Sequence, residues 1–156
     1  SVGFVKKDQL DDFMNYAFSE AEKAYGIDEV PIGAIVVLDN KIIGKGHNQC
    51  ETLSDPTAHA EMIAITAASN TLGNWRLEEG ILFVTKEPCA MCAGAILNSR
   101  LKMIVFGCYD NDAGCCGSVY NLCGDPVLNN SVIVKGGILE KKCRSILSEY
   151  FLEKRN

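Results

Sequence analysis

Two stretches of the chain carry residue types at spacings that can do chemistry, Asp55-Pro-Thr-Ala-His59-Ala-Glu61 and Lys86-Glu-Pro88-Cys89-Ala-Met-Cys92. The first sets an imidazole two residues from a carboxylate. The second sets two thiols one helical turn apart, directly after a proline. His59, Cys89 and Cys92 together make three soft or borderline ligands, the set a catalytic zinc takes when its fourth position is left open for water. Glu61 is then the spare acid, free to move protons beside that water. Residues two apart do not share a helix face, so His59 and Glu61 are not both ligands of one ion. Each half taken alone has an ordinary reading. A Glu at a helix start complements the dipole, and a bare C-x-x-C is equally a redox pair. The two halves together point to a metal.

The elements that must position these residues follow from periodicity. Residues 7–25 read as a helix, with Leu10, Phe13, Met14, Ala17, Ala21 and Ala24 at helical spacing and Gly26 as its stop. Residues 30–38 form a near-continuous apolar run, as in a strand buried on both faces. Asp39-Asn40 is a turn, and 41–48 return as the second strand of a hairpin. Gly44 and Gly46 make no dinucleotide fingerprint, because no third glycine and no helix follow. Asn48 then caps a turn or reads a base edge; spacing does not choose.

Residues 51–57 read as a polar loop, with Asp55 or Thr57 capping a helix over 58–68 whose first turn holds His59 and Glu61. A loop with Trp75 and Arg76 leads to a strand at 81–85. Pro88 opens a helix over 89–98, with Cys89 and Cys92 on one face at the dipole end that stabilises thiolates. A strand at 102–107, a long loop at 108–126, a short strand at 132–135 and an amphipathic helix at 139–153 complete the order. A loop of that length is usually functional. The alternation implies an α/β domain of three layers, α/β/α, around a five-stranded mixed sheet, with residues 1–156 as a single domain.

Composition narrows the class. Hydrophobic residues make 47% and charged residues 22%, ordinary for a globular protein. The apolar runs at 32–38 and 81–84 are far too short to span a membrane, and the polar start shows no export signal, so a cytoplasmic site is expected. Eight cysteines invite a disulfide framework, but a chain with an ample core and no secretory segment does not need one. Cys50, Cys108, Cys115, Cys116, Cys123 and Cys143 are expected as free thiols. A second metal site from Cys108, Cys115, Cys116 and Cys123 would lack any His or regular C-x-x-C. The match of Asn129-Asn-Ser131 to a glycosylation sequon is read as chance. A net charge of −5 argues against a general polyanion binder, so any nucleic-acid contact needs a local basic patch, drawn from Lys86, Arg100, Lys102, Lys142, Lys154 and Arg155.

The H-x-E and P-C-x-x-C pair resembles the signature of the zinc-dependent deaminases, and the element order resembles their cytidine deaminase-like fold. Glu29-Val-Pro-Ile-Gly-Ala34, Gly46-His-Asn48, the Asp55–Glu61 stretch, Asn74-Trp-Arg-Leu77, 87–96 and Gly114-Cys-Cys-Gly-Ser118 are similar to the bacterial tRNA-specific adenosine deaminases. The likeness runs from about residue 10 to 151. It implies a homodimer that turns the wobble adenosine of a tRNA anticodon into inosine, with one Zn²⁺ per subunit. By position, His59, Cys89 and Cys92 match the zinc ligands and Glu61 the proton shuttle. Asn48 and the backbone N–H of Ala60 match contacts to the base, Val30 falls beside its pocket, and Asp110 matches an acid near the ribose. The helix at 89–98 and the strand at 102–107 match the subunit surface. Two departures remove potential RNA contacts: 128–131 lack a usual His-Arg pair, and Asp112 stands where a basic residue is common.

The rival readings are a deaminase of a free nucleobase or nucleoside, which the acidic charge suits, a structural zinc domain, and a redox protein. Structural zinc usually takes four protein ligands, whereas three with an acid alongside is a catalytic pattern.

Overall fold

The structure, a computed structural model, describes residues 5–128 and 132–155. The elements are α1 (Lys7–Gly26), β1 (Gly33–Leu38), β2 (Lys41–His47), α2 (Cys50–Leu53), α3 (Ala60–Leu72), β3 (Ile81–Lys86), α4 (Ala90–Asn98), β4 (Met103–Cys108), a 3₁₀ turn at Pro126–Leu128, β5 (Ile133–Lys135) and α5 (Glu140–Arg155). The five strands form one mixed sheet in the order β2-β1-β3-β4-β5. β1 runs antiparallel to β2 and β3, while β3, β4 and β5 are parallel. The expected sheet and element order are thus present. The sequon at 129–131 lies outside the described residues. No helix among the described residues is long and apolar enough to cross a membrane.

Alternation along the strands creates the layers. Ala34, Val36, Leu82, Val84, Ile104 and Phe106 face α3 and α4, meeting Ala60, Ala64, Ala68, Ala93 and Ile96. Their neighbours Ile35, Val37, Ile81, Phe83, Met103 and Val105 face α1 and α5, meeting Leu10, Met14, Ala17, Cys143 and Leu147. Both faces are therefore apolar, which is why 30–38 and 81–85 read as unbroken runs. Asp39 and Asn40 hold φ of 51° and 62°, the doubly positive pattern of the turn that suits a tight hairpin.

Gly44 and Gly46 have a packing role. A Cβ on Gly44 would come 2.4 Å from the carbonyl oxygen of Ala64, and one on Gly46 2.4 Å from that of Ala60. α3 thus lies directly on the backbone of β2, and only glycine allows the approach that seats His59 and Glu61.

Three expectations change. β1 begins at Gly33 rather than at Val30, because Pro31 has no N–H for the ladder and Ile32 N–H turns back to the Val30 carbonyl at 2.8 Å. β4 is buried along its whole length between β3 and β5, so it has no exposed face to offer a second subunit, whereas α4 exposes Ala90 and Asn98. The polar loop at 51–57 contains the short helix α2.

α2 is held from a distance. The buried Glu29 carboxylate accepts hydrogen bonds from Glu51 N–H at 3.1 Å, Thr52 N–H at 2.6 Å and Thr52 Oγ1 at 2.6 Å. Burial pushes the Glu29 carboxyl up, but those bonds outweigh it and hold the group below its ordinary value. A carboxyl depressed on folding adds stability that is fully present above its unfolded value. That stability is lost as pH falls through the lower folded value. Glu29→Gln should therefore destabilise the protein at pH 7 and flatten the acid limb below about pH 4.5. Urea midpoints measured between pH 3 and 7 check this; parallel curves for the two proteins would refute it.

Candidate active site

β3 ends at Lys86, and Glu87-Pro88 carries the chain into α4. Cys89 is the N-cap of α4, with φ −76° and ψ 179°, and its side chain makes no cap hydrogen bond. Cys92 follows in the first turn. His59, not Thr57 or Asp55, is the N-cap of α3, with φ −74° and ψ 151° and again no side-chain cap bond. Asp55 instead holds the approach, accepting from Thr57 N–H at 2.8 Å. Both ligand-bearing caps are thus free to turn away from their helices toward a common point. Two positive dipole ends converge there, and such ends favour anionic thiolates.

His59 Nδ1 lies 3.6 Å from Cys89 Sγ and 3.6 Å from Cys92 Sγ. The three donor atoms lie within 4.8 Å of one another, the one such gathering of His, Cys, Asp or Glu donors among the described residues. Tetrahedral metal–N and metal–S bonds of about 2.0 and 2.3 Å would set N and S roughly 3.6 Å apart. Donor types and spacing both fit a metal ion. Cys108, Cys115, Cys116 and Cys123 do not gather: Cys108 packs on the α1/α5 side of the sheet and the other three on the α3/α4 side. Cys116 and Cys123 come within 3.2 Å as free thiols, and all eight cysteines are unpaired.

Charge in the cluster is uneven. Hydrogen bonds from Cys92 and then His59 pull the Cys89 thiol down to about 3. Cys92 is pushed up by its bond to Cys89, by burial and by the charges of Glu61 and Cys89. Burial pushes the Glu61 carboxyl up as well. The His59 imidazole is in turn pushed up, first by its hydrogen bond to Cys89, so the ring and the Cys89 sulfur share one closely linked site.

A cavity of about 320 Å³ opens beside the cluster, a size suited to a small molecule or a single base. Val30, Asn48, Ala60, Glu61, Lys86 and Asp110 all line it, so the predicted substrate residues meet in one place. Asn48 is 7% exposed, and its Oδ1 has no hydrogen-bond partner among the described residues. Its Nδ2 donates to the Val30 carbonyl at 3.4 Å. A buried acceptor without a partner, on a residue that lines the cavity, favours a ligand donor over a turn cap. Ala60 is the first helical residue of α3, so its N–H has no intrahelical partner. Tyr150, from α5, closes the far wall, a role its place on an amphipathic helix did not announce.

The candidate RNA-contacting cations separate. Lys86 and Arg155 line a second cavity of about 520 Å³ that shares Lys86 and Asp110 with the first. Lys86 is paired with Asp110 at 3.0 Å, and Asp112 sits on the same rim. Lys154 holds Asp28 at 2.6 Å beside Tyr150. Arg100 folds over the end of α4 to the Leu97 carbonyl at 2.9 Å, Lys102 pairs with Glu79 at 2.8 Å, and Lys142 bonds Asn15 at 2.6 Å. These last three do not line either cavity. Arg144 and Phe151 do line the second. Their spacing with Arg155 along one face of α5 was the available signal.

Two helix N-termini meeting at a His-Cys-Cys triad that could hold a metal, with a buried carboxyl at hand, are the arrangement of a hydrolytic deaminase. Residues 8–155 match the MafB19-like deaminase family, and the chain belongs to it. It is 46% identical to the tRNA-specific adenosine deaminase of Bacillus subtilis over 143 residues, covering 92% of this chain and 89% of that protein. It is 44% identical to the tRNA-specific adenosine deaminase of Haemophilus influenzae, over 91% of this chain and 83% of that one. A solved structure from studies of A-to-I editing by tRNA:A34 deaminases aligns with a TM-score of 0.83 at 38% identity, covering 86% of this chain and 98% of the other.

Proposed function

We propose that this protein hydrolyses the wobble adenosine of a tRNA anticodon to inosine, using Zn²⁺ held by His59, Cys89 and Cys92. The reading rests first on the 3.6 Å approaches between the His59 ring and both thiols beside the buried Glu61. The substrate rests on the likeness to proteins that are themselves tRNA-specific adenosine deaminases. The protein acts as a single-domain homodimer in the cytoplasm, with α4 as its subunit surface.

When bound, zinc supplies Lewis acidity that makes a water molecule nucleophilic at neutral pH. The chain does the rest. Glu61 takes a proton from the attacking water and delivers it to N1 of adenine as oxygen adds to C6. It then takes the proton of the new C6 hydroxyl and passes it to the departing amine, so the C6 carbonyl forms, ammonia leaves and inosine remains. Asn48 Oδ1 and the Ala60 N–H hold the base edge, and Val30 packs on its face. An anticodon-loop base is already exposed, which lowers the cost of bringing it into the cavity.

Incubation with an anticodon stem-loop followed by inosine sequencing tests the reading. Inosine is expected at the wobble position, with little ammonia released from free adenosine, guanine or cytosine. Ammonia from a free base without inosine in the RNA would overturn it in favour of a base deaminase.

A further inference from the structure

Glu87 is 3% exposed and does not reach the metal triad, yet four donors converge on its carboxylate. Oε1 accepts from Asp110 N–H at 3.0 Å and from Ser118 Oγ at 2.5 Å. Oε2 accepts from Cys116 N–H at 3.1 Å and Ser118 N–H at 3.0 Å. Next to it, Cys115 N–H donates to the Pro88 carbonyl at 2.8 Å. The segment so held, 110–118, has no helix or strand of its own. It is therefore fixed to the corner that carries Cys89 chiefly by the Glu87 side chain, with the Cys115–Pro88 backbone bond beside it. Gly114 makes the fit possible: a Cβ there would meet Glu87 Cδ at 2.4 Å and Oε1 at 2.5 Å.

We propose that Glu87 is a positioning residue for the reaction, tying loop 110–118 to the Pro88–Cys89 corner so that Asp110 is set at the cavity mouth to receive the substrate strand. The inference rests on the tRNA deaminase reading above. Asp110 is the pivot. Its amide is held by Glu87, and its Oδ1 accepts from Asp112 N–H and Ala113 N–H at 3.0 and 3.1 Å. Its Oδ2 meets Lys86 Nζ at 3.0 Å. Glu87 itself lines the first cavity but not the second, and its carboxylate, taken up by these four donors, sets where a paired acid and lysine stand.

Glu87→Gln separates this role from general support. The two N–H groups at Oε2 demand an oxygen, so the Gln NH₂ must take the Oε1 place. There the Ser118 hydroxyl can turn to accept from it, but Asp110 N–H then faces another donor. The substitution unseats Asp110 selectively. KM for an anticodon stem-loop should rise about tenfold, as loss of roughly one hydrogen bond predicts. The kcat should stay within about twofold and the metal content should not change. Gly114→Ala, which displaces the same carboxylate from the other side, should give the same split. Asp110→Ala combined with Glu87→Gln should be no worse than Asp110→Ala alone. Additive KM effects, a fall in kcat at unchanged KM, or lost metal would overturn the proposal. In the wild-type protein the amides of Asp110, Cys116 and Ser118 should exchange slowly with deuterium; free exchange at all three would overturn it whatever the variants do. A wild-type chain that makes no inosine on the same stem-loop would instead sink the functional reading, leaving hydrogen exchange to decide the clamp.

Discussion

Glu61→Gln is expected to lower kcat on an anticodon stem-loop by about 10³-fold or more while the protein keeps its full metal content. General acid–base groups contribute on the order of 10²–10⁴, and here one carboxyl is asked for more than one transfer. The replacement is nearly isosteric, so the packing around the metal donors should be preserved. It cannot take up a proton. Glu61 is only 4% exposed, and burial raises its affinity for a proton, which suits a group that must both gain and release one near neutral pH. KM should move little, because the proposed reaction has the base held by Asn48 and the Ala60 N–H. Rate assays with metal analysis on the same samples decide the matter. Normal metal with an unchanged rate would remove Glu61 from its assigned role.

How far the sequence disclosed this arrangement depended on where each residue's partners lie. His59, Cys89 and Cys92 were legible because helix starts impose the needed directions within a few residues, and Pro88 marks one of those starts. The strands were legible because both faces of the sheet are apolar. Glu29 and Glu87 were not. Each serves backbone donors more than twenty residues away, and a carboxylate that organises a distant segment leaves no local pattern. α2 was missed for the same reason: without Glu29, 51–57 has only loop chemistry. Asn48 was ambiguous because spacing shows neither that its Oδ1 is buried without a partner nor that the residue lines the cavity. Surface cations were least legible of all. Lys102 and Lys142 have partners contributed by residues far along the chain, while Arg144, not among the candidates, stands in the second cavity.

Cys92→Ala should abolish activity by a different route, through loss of the ion. Cys92 is fully buried in the first turn of α4 and is one of only three donors. Its removal leaves His59 and Cys89 as a two-point site, and metal content after dialysis should fall below about a tenth of the wild-type value, given that loss of a mere supporting partner already costs 10–100-fold in affinity. Activity should fall in proportion. The thermal signature is diagnostic. An ion that binds only the folded state adds about 4 kcal/mol at a free concentration 1,000 times its Kd, or on the order of 10 °C in Tm for a domain of this size. Chelation should strip that increment from the wild-type protein, and re-added zinc should restore it. Cys92→Ala should begin low and respond to neither treatment. Cys123→Ala is the control, since it removes a thiol as deeply buried but outside the donor group; it should keep both the metal and the chelator response. A metal-replete, chelator-sensitive Cys92→Ala protein would mean that the ion sits elsewhere. Paired with Glu61→Gln, which should keep the ion and lose turnover, the variant separates holding the metal from moving the proton, the two tasks that the proposed reaction gives to Cys92 and Glu61.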